Sequence, residues 1–142
     1  MTTRKSKSEK KEEHQSVNRK GKDTALLKKP DEKYQNKELK MGASIDAIIS
    51  SDLGINIFDP ITQEEFTFNG DGILEIKTDF YHMDKVREEW VIQVHHQMIC
   101  SDYTWGIIAV LNQKGHLKIY PVPRNEELID DIIYCTDNVK NY

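Results

Sequence analysis

Glu75 and Lys77 stand two positions apart in Gly72-Ile73-Leu74-Glu75-Ile76-Lys77, an otherwise apolar and β-prone run. In a strand, alternate side chains share a face, so this carboxylate and this ammonium emerge side by side. A carboxylate in an apolar stretch is costly unless something uses it. A hard divalent cation would, because it takes carboxylate oxygens. The lysine would then orient a metal-bound water or help deprotonate it, which is the chemistry of metal-dependent phosphodiester hydrolysis. The simpler reading of the same two residues is an exposed Glu/Lys pair on a surface strand, worth at most about 1 kcal/mol.

The neighbouring elements decide between these readings. Upstream, Gly42-Ala43-Ser44-Ile45-Asp46-Ala47-Ile48-Ile49 reads as a strand over about 43–50 that carries one acid, Asp46. Downstream, a helix is expected over about 83–101. Trp90, Val94 and Met98 recur along it at i, i+4 and i+8, and Val86, Val91 and Ile99 widen the apolar face. Glu89, Gln93 and Gln97 form a parallel stripe beside that face. From there Gln93 would hydrogen-bond the water, a metal ligand or the phosphate. Residues 104–111 contain a continuous apolar run, as expected of a strand buried on both faces. A hairpin-like connection over 112–115 leads to a partner strand over 116–122. Asn125 is placed to cap a helix over 126–135, with Glu126 and Glu127 in its first turn. Between the Asp46 and Glu75 strands, residues 55–58 and 65–68 read as an inserted hairpin, and Asn69-Gly70-Asp71-Gly72 is a turn signal. Strands alternating with helices give an α/β fold, a mixed sheet flanked by one or two helices.

This order of strand with Asp, strand with Glu-x-Lys, helix with Gln and buried strand resembles the core of the PD-(D/E)xK, restriction-endonuclease-like nucleases. More narrowly, it resembles the YqaJ-type viral recombinases, the lambda-exonuclease-like family. GASIDAII is similar to that family's "aSpDGiv" strand, GDGILEIKT to its "dgllEiKt" strand and IQVHHQM to its "aQvqhQm" helix. LKIYPVPRNEELIDDII resembles its next strand and helix. The resemblance spans roughly residues 41–135. It implies that Asp46, Glu75 and the backbone carbonyl of Ile76 hold Mg²⁺, with Mn²⁺ as a substitute. It implies that Lys77 and Gln93 complete the catalytic set. It further implies an exonuclease acting at double-stranded DNA ends in phage-type recombination, partnered by a single-strand annealing protein, in a ring or other homo-oligomer. A structure-specific or restriction-type endonuclease, or an inactive DNA- or partner-binding remnant, is the alternative.

Two further acids compete with Asp46. Asp71 lies four residues before Glu75, on the same strand face, but a turn signature accounts for it. Asp59 precedes Pro60, and Asp-Pro initiates turns. The interval from Asp46 to Glu75 is longer than in many relatives. Relatives also carry a helical region ahead of the Asp strand and continue past the last helix, so the chain reads as a minimal or truncated member.

Charge divides the 142 residues sharply. Residues 1–40 hold 13 Lys and Arg against 7 Asp and Glu, whereas residues 41–142 hold 7 against 17. The basic segment has few apolar residues beyond Ala25-Leu26-Leu27 and cannot offset its ordering entropy by burial. Residues 1–38 are therefore expected to be a disordered tail that tethers DNA, and residues 39–142 the nuclease domain. The tail lacks the apolar core of a signal peptide and no run approaches transmembrane length, so a cytoplasmic protein with no membrane contact is expected. Cys100 and Cys135 form no CxxC and are expected to be reduced packing residues. Zinc is not expected. The adjacent His95 and His96 diverge by about 100° on a helix, and His82 and His116 have no ligand spacing to them.

Overall fold

The computed structural model describes residues 26–31, 33–79 and 86–140. Among the described residues, nine strands and two helices follow in the order β1 (Leu26–Lys28), β2 (Tyr34–Asn36), β3 (Met41–Ala43), β4 (Ala47–Ser50), β5 (Ile55–Phe58), β6 (Glu65–Phe68), β7 (Gly72–Asp79), α1 (Glu88–Ser101), β8 (Trp105–Asn112), β9 (Leu117–Pro123) and α2 (Glu126–Lys140). Five strands form a mixed sheet ordered β1-β4-β7-β8-β9, in which β7 and β8 are parallel and the other pairs antiparallel. Two hairpins, β2–β3 and β5–β6, stand outside it. This is the expected α/β architecture, a mixed sheet flanked by helices.

Alternation along the strands sends side chains to two cores. Ile48, Ile73, Ile108, Val110, Tyr120 and Val122 meet the helices, with Trp90, Val94 and Met98 of α1 and Ile129 of α2 buried among them. Ile49, Leu74, Trp105, Ile107 and Ala109 face the other way and pack under Phe68 of the β5–β6 hairpin. Two glycines permit the close approaches. A Cβ at Gly106 would stand 2.8 Å from Val94 Cγ1, so the bare strand lets α1 settle onto β8. A Cβ at Gly72 would collide with the Trp105 indole, which stacks on Phe68 at 4.8 Å between centroids. At the end of α1, Asp102 turns left-handed (φ 66°) and its N–H donates to Met98 O at 2.9 Å, closing the last turn.

Several expected boundaries move. The strand over 43–50 is two strands, β3 and β4, separated at Ser44–Asp46, because β3 leaves the main sheet to pair with β2. α1 begins at Glu88, and residues 83–85 of the expected helix lie outside the described residues. α2 continues to Lys140, beyond the expected end at 135.

The expected tail over 1–38 is corrected in its last third, while residues 1–25 lie outside the described residues. Leu26–Lys28 adds an edge strand to β4, with Leu27 opposite Ile49. Tyr34–Asn36 pairs with β3 and packs on α1, where Asn36 Nδ2 donates to Ile99 O at 3.3 Å. Such three-residue strands leave no periodicity in the sequence. They form because β4 and β3 present ladder groups that need partners. Cys100 is buried, as expected of a packing residue, whereas Cys135 is exposed, because it falls on the outer side of α2. Both are free thiols. No described helix is long and apolar enough to cross a membrane.

Candidate active site

The site forms where the sheet loses a strand. β4 begins at Ala47, opposite Leu74, so β7 runs on past Leu74 without β4 beside it. In that notch Asp46 Oδ2 accepts the N–H of Ile76 at 2.9 Å, taking over from the strand ladder. The N–H and C=O of one residue in an extended strand point to the same edge, so the Ile76 carbonyl faces the same notch. The Ile76 side chain points to the opposite face of the sheet from Glu75 and Lys77.

Glu75 and Lys77 face α1, as their spacing predicts. Glu75 is 4% exposed, so the surface-pair reading fails. Gln93 Nε2 donates to Glu75 Oε1 at 3.1 Å and Gln97 Nε2 donates to Oε2 at 2.8 Å. Lys77 Nζ stands 3.7 Å from Glu75 Oε1 and donates to Gln93 Oε1 at 2.7 Å. Gln93 thus lies between cation and carboxylate, and its amide orientation is fixed by both. Gln97 Nε2 also donates to Ser44 O at 2.9 Å, tying the helix to the bend that carries Asp46. With that nitrogen so engaged, Gln97 Oε1 is buried without a hydrogen-bond partner among the described residues. Such an orphan acceptor costs about 1–3 kcal/mol.

Burial pushes the Glu75 carboxyl above the ordinary carboxylate range. The Gln97 donor pulls it down, the nearby Asp46 charge pushes it up again, and the Lys77 ammonium opposes that. A buried carboxylate made harder to ionise by a neighbouring negative charge is stabilised by a cation placed beside it. The donor set is all oxygen: Asp46, Glu75 and the Ile76 carbonyl. It suits Mg²⁺, which binds through one or two carboxylates and retains waters. No cluster of three or more His, Cys, Asp or Glu suited to a metal occurs among the described residues.

The structure therefore brings Asp46, Glu75, Lys77 and Gln93 together and leaves the competing acids elsewhere. Asp59 Oδ1 accepts the N–H groups of Ile61 at 2.8 Å and Thr62 at 3.4 Å, which closes the β5–β6 turn. Asp71 pairs with Lys28 at 3.6 Å. Gln97 and the Ser44 carbonyl belong to the network although sequence reasoning did not assign them roles. The recurrence of Gln at i and i+4 was the available signal for Gln97. Asp79, two residues beyond Lys77 on the same face, is also buried and stands 4.0 Å from Arg87. His95 is a fastener. Its Nδ1–H donates to Val91 O at 2.8 Å, and its Nε2 accepts the N–H of Asn125 at 3.0 Å, linking α1 to the cap of α2.

A family model described as YqaJ-like viral recombinase domain matches residues 7–104, a span that contains β1 through α1 and every residue of the network. The chain belongs to that family, and thus to a nuclease-related group associated with phage-type recombination. No curated protein matches the chain.

Proposed function

We propose that this protein is a Mg²⁺-dependent deoxyribonuclease that hydrolyses phosphodiester bonds at double-stranded DNA ends. The single observation that carries the reading is the buried Glu75 held by two helix amides, with Lys77 and Asp46 at its flanks. Asp46, Glu75 and the Ile76 carbonyl would hold the cation, with Mn²⁺ able to replace Mg²⁺. When bound, it supplies charge neutralisation at the phosphate and a more acidic water.

The chain's own side chains do the rest. Lys77, anchored by Gln93, presents its ammonium beside Glu75, where it orients the attacking water and balances the charge that develops on phosphate. Gln97 keeps Glu75 turned toward the notch and binds the Asp46 bend to the helix. The exonuclease assignment rests on the family. It carries with it a single-strand annealing protein as partner, a homo-oligomeric state and a cytoplasmic location.

The test compares linear and closed-circular duplex DNA in Mg²⁺ and in EDTA. Loss of linear DNA alone, in Mg²⁺ alone, supports the reading. Nicking of circles would make the protein an endonuclease. Inertness toward both in Mg²⁺ and in Mn²⁺ would leave a DNA- or partner-binding relative of the nucleases.

A further inference from the structure

Residues 41–142 hold 7 Lys and Arg against 17 Asp and Glu, so most of the charge that can attract DNA lies in residues 1–40. Among the described residues of that segment, Lys28 is engaged with Asp71. Three others gather at one place. Lys33, Lys37 and Lys40 line a cavity of about 250 Å³ on the β2–β3 hairpin, together with the amides of Gln35 and Asn36 and the backbone of Gly42. The lining is cationic and amide-rich, and all three lysines are exposed.

The hairpin is a fixed platform. Tyr34 meets Tyr103 edge to face at 5.9 Å, Asn36 bonds Ile99 O of α1, and Leu39 packs against the helix-side core. Lys40 adopts a left-handed conformation (φ 55°) that turns the chain back into β3. The Lys33 stem crosses the hairpin over Gly42, where a Cβ would come within 2.8 Å of Lys33 Cε. β3 then leads directly to Ser44 and Asp46. From Gly42 to Asp46 the chain reaches at most about 14 Å. That is at most about four steps along the duplex axis, at 3.4 Å per phosphate of one strand.

We propose that the β2–β3 hairpin is a backbone-phosphate site, at which Lys33, Lys37 and Lys40 hold internal phosphodiesters of the strand within about four nucleotides of the bond at Glu75. The proposal rests on the nuclease reading for its register but not for its ligand. Phosphate contacts of this kind position a duplex without reading sequence. They also hold DNA that has no ends, because the ligand is the phosphodiester rather than a terminal group.

The test is binding of the full chain to closed-circular duplex DNA in EDTA, across a range of salt. The variant Lys33→Gln/Lys37→Gln/Lys40→Gln should weaken binding at least tenfold at low salt. It should flatten the dependence of log affinity on log salt by about 0.9 for each lysine that meets a phosphate. The corresponding Lys→Arg triple should keep the wild-type slope. Should the Gln triple melt early, Lys37→Glu alone reads the same slope. An unchanged slope overturns the proposal, as does weakening confined to linear DNA, which would mean end recognition. Cleavage in Mg²⁺ is scored separately. A chain that cleaves nothing yet loses circular-DNA binding in the variant would fail the nuclease reading and keep the hairpin site.

Discussion

Gln97 Nε2 donates to Glu75 Oε2 at 2.8 Å, across the gap between helix and sheet, from a side chain that is 2% exposed. That donor offsets part of the burial that raises the Glu75 carboxyl. Gln97→Ala removes it, so Glu75 should ionise at higher pH and the acid limb of the cleavage profile should move upward. A pH–rate profile of the variant against wild type checks this. A profile that only drops, with no movement of its acid limb, would mean that Gln97 packs without tuning Glu75.

Asp46→Ala and Glu75→Ala should each lower Mg²⁺-dependent cleavage by at least about 100-fold, since on the proposed reading each would remove a charged ligand of the cation. Asp59→Ala and Asp71→Ala should keep near-wild-type cleavage. The first should cost about 1 kcal/mol in stability through the lost turn bonds. Activity assays paired with melting curves separate the two groups, and an inactive but folded Asp59→Ala would reverse the assignment.

Lys77→Ala should cut turnover by about 100-fold or more while changing Mg²⁺ affinity little. Lys77→Arg should not restore it. The planar guanidinium cannot reproduce the compact ammonium that Gln93 Oε1 accepts at 2.7 Å, and it cannot give up a proton. Single-turnover cleavage and a Mg²⁺ titration measure the two effects independently.

Deleting residues 1–25 and deleting residues 1–38 should differ. The shorter deletion should leave the melting temperature nearly unchanged and weaken DNA binding. The longer one removes β1, β2 and the contacts of Leu27 and Tyr34, both partly buried against the two cores. Their loss should cost about 2–4 kcal/mol, which is about 10 °C or more for a domain near 100 residues. Equal melting temperatures for the two truncations would show that β1 and β2 contribute nothing to stability.

The raised Glu75 carboxyl also fixes a sign for pH. Its folded value lies above its unfolded one, so in EDTA its contribution to stability is fully present below the ordinary carboxylate range. That contribution is lost as pH rises through the folded value. Bound cation requires the ionised form, so the gain in melting temperature on adding Mg²⁺ should grow over the same pH interval. Melting curves with and without Mg²⁺ from pH 5 to 8 check this, and a gain independent of pH would place the metal away from Glu75.

Local pattern determined much of this molecule. The two-residue period put Glu75 and Lys77 on one face, the 3.6-residue period buried Trp90, Val94 and Met98, and the unbroken apolar run of β8 marked an interior strand. Each follows from backbone geometry that a chain carries everywhere. Only the tertiary structure set Asp46, and not Asp59 or Asp71, beside the Glu75 strand, because that placement depends on where β4 stops beside β7. Only it buried Gln97, since a stripe flanking an apolar helix face is wet or dry according to what the sheet sets against it. Only it folded Leu26–Lys28 and Tyr34–Asn36 into strands, because three residues without periodicity pair solely when an open edge, here β4 and β3, is presented to them.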